Sequence, residues 1–525
     1  MQSLNNVLKN LNLFDGQKEY KSIAFSEDWS NIFSFEIAEK LQDVIQPDAV
    51  YHFNNEPFIL FFDFTENEKD DRINKFHSQV WCFDKAPIVF AVYSKNIEIY
   101  NAFKYENNKK LKQIVLNYTQ INEKFNFWEL QSGKTWNWLL NTYKRDFDKK
   151  NRINQKLFES IKALRNKLTN SEVEQLSEKE ANILILRLIF SRYLIDRGVD
   201  ISTFIQGSSL EQKKQCFNDL IANKNLLNDF FTHLKERFNG NLFDKEINVH
   251  ETSLQLVSNI FKGDFATSQL MLFDIYDFNI IPVETISGIY ESIIDDEKRK
   301  KNSAVYTPSF LVDYILTETV DKHLDVNLVH CKTLDPACGS GIFLVQTFRR
   351  IAFYTQKQKG QLSAEELCAI VKDNLYGVDR DVSALNVAIF SLYIAILDFI
   401  KPIEITNIQL PNLLGENLFR NDFFNIEDTL FDEEELHPYN EQFRSIAFDF
   451  ILGNPPWGSK KELKHDRFHL EYLKKYPNIV SDYEISQSFI LRTRDFSVST
   501  TKCALIVISS AFHSLWAKKF SKYFF

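Results

Sequence analysis

Residues 334–345 read L-D-P-A-C-G-S-G-I-F-L-V, and this stretch decides the fold of the C-terminal half of the chain. The pattern predicts a strand ending at Asp335, a tight turn of small residues over 337–341 and a helix directly after it. Gly339 and Gly341 can adopt positive φ, and the first N–H groups of the helix face any polar group bound at the turn. Ligands of open α/β sheets bind at this edge. The turn alone is a weak signal, because a tight turn that binds no ligand has the same sequence pattern.

A second stretch, Phe448–Trp457, reads F-D-F-I-L-G-N-P-P-W. Its apolar residues predict a short buried strand, which is followed by two prolines. Proline fixes φ and removes an N–H group, and the residue before it is pushed to an extended conformation. The motif N-P-P-W is therefore a rigid exit from the strand that carries an amide, bare carbonyl groups and an aromatic ring. An ordinary Pro-Pro loop over a packed tryptophan would read the same way, but its pairing with the first stretch favours a functional site.

These two motifs, in this order, resemble the methyltransferases that act on the N6 amine of adenine in DNA. More narrowly, they resemble the large methyltransferases of type IIG-like and type I-like restriction–modification and phage-defence systems. Two further stretches match in the family's order, L-Y-G-V-D-R-D at Leu375–Asp381 and V-Y-T-P at Val305–Pro308. The resemblance covers about the last 220 residues. It implies a class I Rossmann-like methyltransferase domain that uses S-adenosylmethionine to methylate double-stranded DNA.

The resemblance and the side-chain chemistry together predict the cofactor site. Asp335 can accept from the ammonium group of S-adenosylmethionine, Thr307 can donate to its carboxylate, and Asp379 can accept from both ribose hydroxyls. Thr307 is equally compatible with a plain helix cap. Glu416 resembles, less closely, the acidic position that meets the adenine amine. The predicted cofactor-binding residues are Thr307, Asp335, Ala337, Gly339, Gly341, Asp379 and Glu416. The separation between Asp335 and Asp379 exceeds the roughly 20 residues of a dinucleotide fold, which weighs against NAD.

The N-P-P-W motif supplies the predicted catalytic residues, which are Asn454, Pro455, Pro456 and Trp457. The N6 amine is a poor nucleophile because its lone pair is delocalised into the ring. Acceptors at the Asn454 side-chain oxygen and the Pro455 carbonyl favour a pyramidal nitrogen and stabilise the charge that grows on it. The base must flip out of the duplex, and Trp457 can stack on it. No metal site is predicted.

Composition sets further bounds. A net charge of −9 argues against binding of nucleic acid through bulk charge, so DNA would need a local basic face. Candidates are Lys298–Lys301 and the three lysines Lys460, Lys461 and Lys464, although solvated loops would read the same way. The six cysteines form no C-x-x-C pair, which argues against zinc and disulfides and predicts a reducing cytoplasm. No apolar segment is predicted to span a membrane.

The chain is predicted to be a multidomain α/β protein with three parts. Residues 1–130 form an α/β domain in which P-D at 47–48 and D-F-T at 63–65 resemble the PD-(D/E)xK nucleases, whose carboxylates hold a divalent metal. Threonine stands where those nucleases have lysine. A degenerate remnant is therefore preferred to a working nuclease, and an unrelated domain is at least as compatible. Residues 131–300 form a helical connector, and residues 301–525 the catalytic domain.

The catalytic sheet is predicted to be incomplete, because the chain reaches Phe525 soon after the predicted strand Ala504–Ser509. The proteins that it resembles continue with more strands and a target-recognition domain. A separate target-recognition or restriction subunit would then supply the rest. An isolated chain would expose a sheet edge and the aromatic residues of Phe520–Phe525, and would associate.

The leading interpretation is an adenine-N6 DNA methyltransferase of a restriction–modification or phage-defence system. One alternative is a bifunctional enzyme that also cuts DNA. Another is a non-catalytic subunit that binds cofactor or DNA in a defence complex. The intact motif N-P-P-W argues against the second alternative.

Overall fold

A computed structural model of the chain divides into two compact units, Met1–Ser160 with Asn259–Pro282, and Ile161–Ser258 with Val283–Phe525. The three-part division expected from the sequence stays a prediction, and the two units cut across it. The structure describes residues 3–17, 19–66, 71–106, 109–170, 175–238, 241–243, 247–262, 275–282, 285, 288, 307–326, 331–405, 408–425, 437, 439, 443, 445–457, 467–481, 484–513 and 517–524.

The first unit is built on a six-stranded sheet in the order β1-β2-β3-β4-β5-β6. β3 and β4 are parallel, and the other neighbouring strands are antiparallel. The strands are β1 Ile23–Ala24, β2 Ala49–Phe53, β3 Glu56–Asp63, β4 Ile88–Val92, β5 Ile97–Tyr105 and β6 Leu111–Ile114. All five residues of β4 are buried, as expected of a central strand that is covered on both faces. Helices of this region are Leu4–Asn10, Trp29–Ile32, Phe35–Lys40, Phe76–Phe83, Tyr118–Lys124, Phe127–Gln131 and Lys134–Thr142.

The helical region that follows contains the helices Ile153–Thr169, Glu178–Arg197, Leu210–Ile221, Lys224–Phe238 and Glu251–Lys262. The second of these begins at a capping box, in which Ser177 and Glu180 satisfy each other's backbone N–H groups. It ends at Gly198, which has a positive φ of 80°. Its side chains from Ala181 to Asp196 are buried, so it is a core helix.

The second unit contains a five-stranded parallel sheet in the order β11-β10-β7-β8-β9. Its strands are β7 Thr333–Asp335, β8 Leu375–Asp379, β9 Leu418–Arg420, β10 Phe450–Gly453 and β11 Lys502–Leu505. The chain runs outward from β7 through β8 to β9 and then returns to the other side of β7 as β10. This reversal is a topological switch point, where ligands of open parallel sheets bind. The predicted strand, turn and helix at 334–345 are confirmed, since Ile342–Lys359 is a helix.

The remaining helices of the second unit cover this sheet or follow it along the chain. They are Ser309–Leu316, Lys322–Leu324, Ile342–Lys359, Ala364–Asn374, Val382–Asp398, Arg467–Leu473, Ile485–Thr493, Ser510–His513 and Lys518–Phe524. Across the described part of the chain, no helix is both long and apolar enough to cross a membrane.

Two expectations for the end of the chain are corrected. The strand predicted at Ala504–Ser509 begins two residues earlier and ends at Leu505. It stops there because its partner β10 ends at Gly453, the residue paired with Leu505. Phe520 is fully buried against Phe512, with ring centres 5.6 Å apart, and so is not one of the exposed aromatic residues expected at this end.

Candidate active site

Asp335 ends the central strand of the parallel sheet and is 2% exposed. Its Oδ1 accepts a hydrogen bond from the N–H of Ala337 (3.1 Å), which fixes the carboxylate at the start of the turn. The turn then passes through Gly339 and Gly341, whose φ angles are +52° and +83°. A Cβ at Gly341 would also lie 2.9 Å from the Cβ of Ala388, so this turn needs glycine for its conformation and for its space.

The carboxylate of Asp335 lies against the end of the neighbouring strand β10. A Cβ at Gly453 would stand 2.7 Å from Asp335 Oδ1 and 3.2 Å from Pro336 Cδ. Real Cβ atoms do not approach so closely, so β10 can pass the carboxylate only because residue 453 has no side chain. Asp335 and the first residue of N-P-P-W are thereby brought to adjacent strand ends.

Asp379 ends β8 on the other side of β7. Its Oδ2 accepts from the N–H of Gly339 (2.9 Å), and its Oδ1 accepts from the N–H of Asp381 (2.8 Å). Asp379 therefore ties the end of β8 to the glycine turn. Asp381, two residues later, caps the next helix through a bond from the N–H of Ser383 (2.9 Å).

Asn454 and Thr307 are in direct contact. Asn454 Nδ2 donates to Thr307 Oγ1 (3.1 Å), and Thr307 is 6% exposed. The helix Ser309–Leu316 begins after Pro308 and has no side-chain cap, so Thr307 does not serve as the plain helix cap that the sequence also allowed. A residue predicted to bind the cofactor and a residue predicted to be catalytic thus meet at one edge of the sheet.

The rest of N-P-P-W is fixed against the end of β11. Pro455 is buried, while Pro456 and Trp457 are half-buried. Trp457 Nε1 donates to the carbonyl oxygen of Ile506 (3.1 Å), and the N–H of Ile506 donates to the carbonyl oxygen of Gly453 (2.9 Å). The orientation of the indole ring is therefore set by the backbone that leaves β11.

Glu416 is not brought to this edge. It lies two residues before β9, its N–H donates to the carbonyl oxygen of Leu413 (3.2 Å), and its side chain is exposed. Because β8 and β9 are parallel, the start of β9 is at the opposite edge of the sheet from Asp335 and Asp379.

Asp422, which the sequence analysis did not single out, follows the carboxyl end of β9, at the same edge of the sheet as Asp335 and Asp379. It is 4% exposed, and its Oδ1 accepts from the N–H of Phe424 (2.7 Å). Its Oδ2 lies 3.3 Å from Nε of the exposed Arg380. A sequence signal existed: an acidic residue follows an apolar strand here, as at Asp335 and Asp379. The strand has three residues, however, and so shows no periodicity.

The residues of the first unit that resemble a nuclease site are hydrogen-bonded to one another and to Arg72. Asp48 Oδ2 accepts from the N–H of Asp63 (2.7 Å) and from Arg72 Nη1 (3.0 Å). Asp63 Oδ1 accepts from the hydroxyl of Thr65 (2.6 Å). Burial is the main cause of a raised pKa of Asp48. Within the residues that the structure describes, no group of three or more His, Cys, Asp or Glu could hold a metal ion.

The candidate basic faces, Lys298–Lys301 and Lys460, Lys461 and Lys464, lie outside the described residues, as do Val305 and Tyr306 of the V-Y-T-P motif. The other predicted site residues are described.

Residues 373–525 match the family model of the Eco57I restriction-modification methylase. This part of the chain is therefore similar to restriction-modification methylase domains. The chain is 24% identical over 262 residues to the type II restriction enzyme and methyltransferase RM.Eco57I of Escherichia coli, and the match covers 42% of this chain and 26% of that protein. It is 24% identical over 227 residues to the adenine-specific methyltransferase PglX of Streptomyces coelicolor, covering 39% and 18%.

Among solved structures, the type IIL restriction-modification enzyme MmeI in complex with DNA shares the fold. The TM-score is 0.52 at 17% identity, and the match covers 70% of this chain and 52% of that one. The chain spans about a quarter or less of the two curated relatives above. The resemblance to restriction–modification methyltransferases that the motifs indicated is confirmed by the match to this family model and by these relatives.

Proposed function

We propose that the chain transfers a methyl group from S-adenosylmethionine to the N6 amine of adenine in double-stranded DNA, as part of a restriction–modification or phage-defence system. The observation that carries the proposal is the hydrogen bond from Asn454 Nδ2 to Thr307 Oγ1. It joins the N-P-P-W strand end to the residues proposed for the cofactor, so methyl donor and acceptor would meet at one edge. The name of PglX as an adenine-specific methyltransferase supports adenine as the base.

The residues at the edge fit S-adenosylmethionine by their chemistry. Acidic side chains follow or end three successive strands, at Asp335, Asp379 and Asp422. S-Adenosylmethionine offers three matching sets of hydrogen-bond donors, which are its ammonium group, its two ribose hydroxyls and its adenine amine. We assign the adenine contact to Asp422 in place of Glu416. A cofactor with phosphate groups would meet like charges at the same edge, which disfavours a dinucleotide.

The glycine turn at 337–341 also supports S-adenosylmethionine as the cofactor. Gly339 and Gly341 leave the backbone bare beside Asp335, and Gly339 also links the turn to Asp379. When bound, S-adenosylmethionine supplies an electrophilic methyl group. The proposed contribution of Asp335 and Asp379 is to hold its ammonium group and its ribose, and that of Thr307 is to meet its carboxylate while orienting Asn454.

Asn454 and Pro455 are proposed to act on the target amine. With the amide nitrogen of Asn454 turned to Thr307, its Oδ1 points away from Thr307 and can accept from the amine, as can the carbonyl of Pro455. These acceptors stabilise the positive charge that develops on nitrogen during transfer. No strong base is needed beforehand. Trp457, oriented by its bond to Ile506, would stack on the flipped base.

Titration calorimetry and a transfer assay test the proposal. The protein should bind S-adenosylmethionine and its product S-adenosylhomocysteine. With radiolabelled donor and unmodified genomic DNA, digestion to nucleosides should show label in N6-methyladenine. Failure of the folded protein to bind either compound, or label in cytosine, would overturn it. If recognition needs a separate target-recognition or restriction subunit, adding that chain should raise the rate of transfer without changing the affinity for the cofactor.

A further inference from the structure

The segment 421–425, N-D-F-F-N, leaves β9 and carries Asp422, and all five of its residues are buried to at least 96%. It forms a compact turn. Asn421 Oδ1 accepts from the N–H of Asp422 (2.8 Å) and from Asn425 Nδ2 (3.0 Å). The N–H of Asn421 donates to the carbonyl oxygen of Asp379 (3.1 Å). The turn is therefore joined to β8 at the residue proposed to hold the ribose.

Arg492 holds this turn from a distant helix, Ile485–Thr493. The side chain is 7% exposed, and its Nε donates to the carbonyl oxygen of Phe423 (2.9 Å). Its Nη1 also donates to Asp495 Oδ2 (2.6 Å). The guanidinium carbon lies 5.7, 5.6 and 4.9 Å from the ring centres of Phe423, Tyr472 and Phe496.

These contacts fix the guanidinium on several sides. Its charge is balanced by Asp495, its faces meet aromatic rings, and its Nε is directed at one backbone carbonyl. The ring of Phe423 in turn stacks with the rings of Phe489 and Phe496, with ring centres 5.4 and 5.1 Å away. The carbonyl that Arg492 holds belongs to the residue directly after Asp422. The position of the Asp422 carboxylate is thus tied to Arg492 through one peptide unit.

We infer that Arg492 is a positioning residue that holds Asp422 in place to read the adenine amine of the cofactor. The inference rests on the proposed function. A carboxylate accepts from the N6 amine of adenine but is repelled by the O6 of hypoxanthine. A site with a fixed acceptor therefore rejects the deaminated base. If the turn at 421–425 shifts, the preference for adenine over hypoxanthine should fall, while the contacts to the rest of the cofactor remain.

The experiment compares the affinities of two probes, S-adenosylhomocysteine and its deaminated analogue S-inosylhomocysteine, by titration calorimetry. The wild type should bind the first at least about tenfold more tightly, since the charged acceptor then makes a bond that the analogue lacks. In Arg492→Lys the charge remains, but the planar Nε donor is lost. We expect the ratio of the two affinities to fall by about tenfold, with the affinity for the analogue nearly unchanged.

Arg187→Lys is the matched control. Arg187 is 3% exposed, its Nε also donates to a backbone carbonyl, that of Leu242 (2.9 Å), and it also lies over two rings, those of Phe231 and Phe243 at 5.5 Å. The carbonyl group that Arg187 binds, that of Leu242, belongs to the helical region and not to a strand end. Arg187→Lys should lower the melting temperature and leave the affinity ratio at the wild-type value.

An unchanged ratio in Arg492→Lys, or an equal loss of affinity for both probes, would overturn the inference and leave Arg492 with a structural role. If Arg492→Lys does not fold, Phe496→Leu serves instead, because it removes the ring that packs against both the guanidinium and the ring of Phe423 and so loosens the Nε bond. The same ratio should then fall to a smaller extent, and an unchanged ratio would again overturn the inference. A wild type that binds both probes equally would overturn the role of Asp422, and with it the inference, and would leave the proposed methyl transfer standing. A wild type that binds neither would overturn the proposed function itself.

Discussion

At the scale of single residues, the candidate site depends on how closely Asp335 and Gly453 approach. The carboxylate is buried and is held by the N–H of Ala337, so it can meet a cation without first being reordered. The strand beside it leaves no room for a methyl group. Charge on one strand and the absence of a side chain on the next therefore form one feature of the site.

Replacement of Asp335 by alanine should weaken the binding of S-adenosylmethionine by roughly 1.5–3 kcal/mol, the contribution of a charge-assisted hydrogen bond. Titration calorimetry measures the change. Asp381→Ala is the control, because Asp381 serves as a helix cap and its loss should reduce stability by about 1 kcal/mol with little effect on binding. Equal affinities of Asp335→Ala and the wild type would remove Asp335 from the site.

Gly453→Ala tests the contact from the other side. The added methyl group would lie 2.7 Å from Asp335 Oδ1, so the carboxylate must move, and we expect a loss of affinity similar to that of Asp335→Ala. Gly360→Ala is the control, since Gly360 has a positive φ but nothing within 4 Å of an added Cβ. Gly360→Ala should lower the stability of the fold and leave the affinity for the cofactor unchanged. Wild-type affinity in Gly453→Ala would show that the carboxylate is not needed at its present position.

Asn454→Ala should abolish methyl transfer while the affinity for the cofactor stays within about twofold, because the lost acceptor acts on the target amine. A filter-binding assay with radiolabelled donor measures transfer, and calorimetry measures affinity. Thr307→Val provides the contrast. It removes the partner of the amide and the proposed carboxylate contact, so both quantities should fall. Methylation at the wild-type rate in Asn454→Ala would contradict the mechanism.

At the scale of elements, the sequence indicated those parts of the fold whose local chemistry is strong. The turn at 337–341 and the strand that leads into N-P-P-W both occur where the residues predicted them. Short strands were harder to predict from the sequence. β9 has three residues, so the sequence analysis did not single out Asp422 after its end and named Glu416, which lies before its start. The limits of β11 follow its pairing with β10, which apolar composition alone does not give.

The helix Glu178–Arg197 gives the element-scale prediction. Asp398 is 6% exposed and accepts from Tyr193 (2.8 Å), Arg197 (3.3 Å) and Arg349 (2.8 Å). Asp398→Asn would leave buried guanidinium charges without their counter-charge. Urea denaturation should show a loss of roughly 3–5 kcal/mol.

Glu318→Gln is the matched control for that variant. Glu318 pairs with Lys322 on the surface, and exposed pairs of this kind contribute less than about 1 kcal/mol. A loss of that small size in Asp398→Asn would show that the buried network does not hold the helical region to the sheet helices of the second unit.

At the scale of the whole molecule, the first unit raises the question of DNA cleavage. Arg72 already provides a positive charge at Asp48, and the hydroxyl of Thr65 is bonded to Asp63. We therefore expect no nicking of supercoiled plasmid with Mg²⁺ or Mn²⁺, measured on agarose gels. Metal-dependent nicking by the wild type that disappears in Asp63→Ala would establish the bifunctional alternative.

The pairing of β10 with β7 also bears on how the molecule is made. β7 and β10 are neighbours in the sheet but far apart along the chain, with β8 and β9 synthesised between them. During translation one side of β7 therefore stays open, with unpaired N–H and C=O groups, until residues 450–453 have left the ribosome. Parallel pairing over such a separation is slow. The edge that carries Asp335 and Asn454 is thus completed late in folding, and chains stalled before β10 would be those most exposed to aggregation.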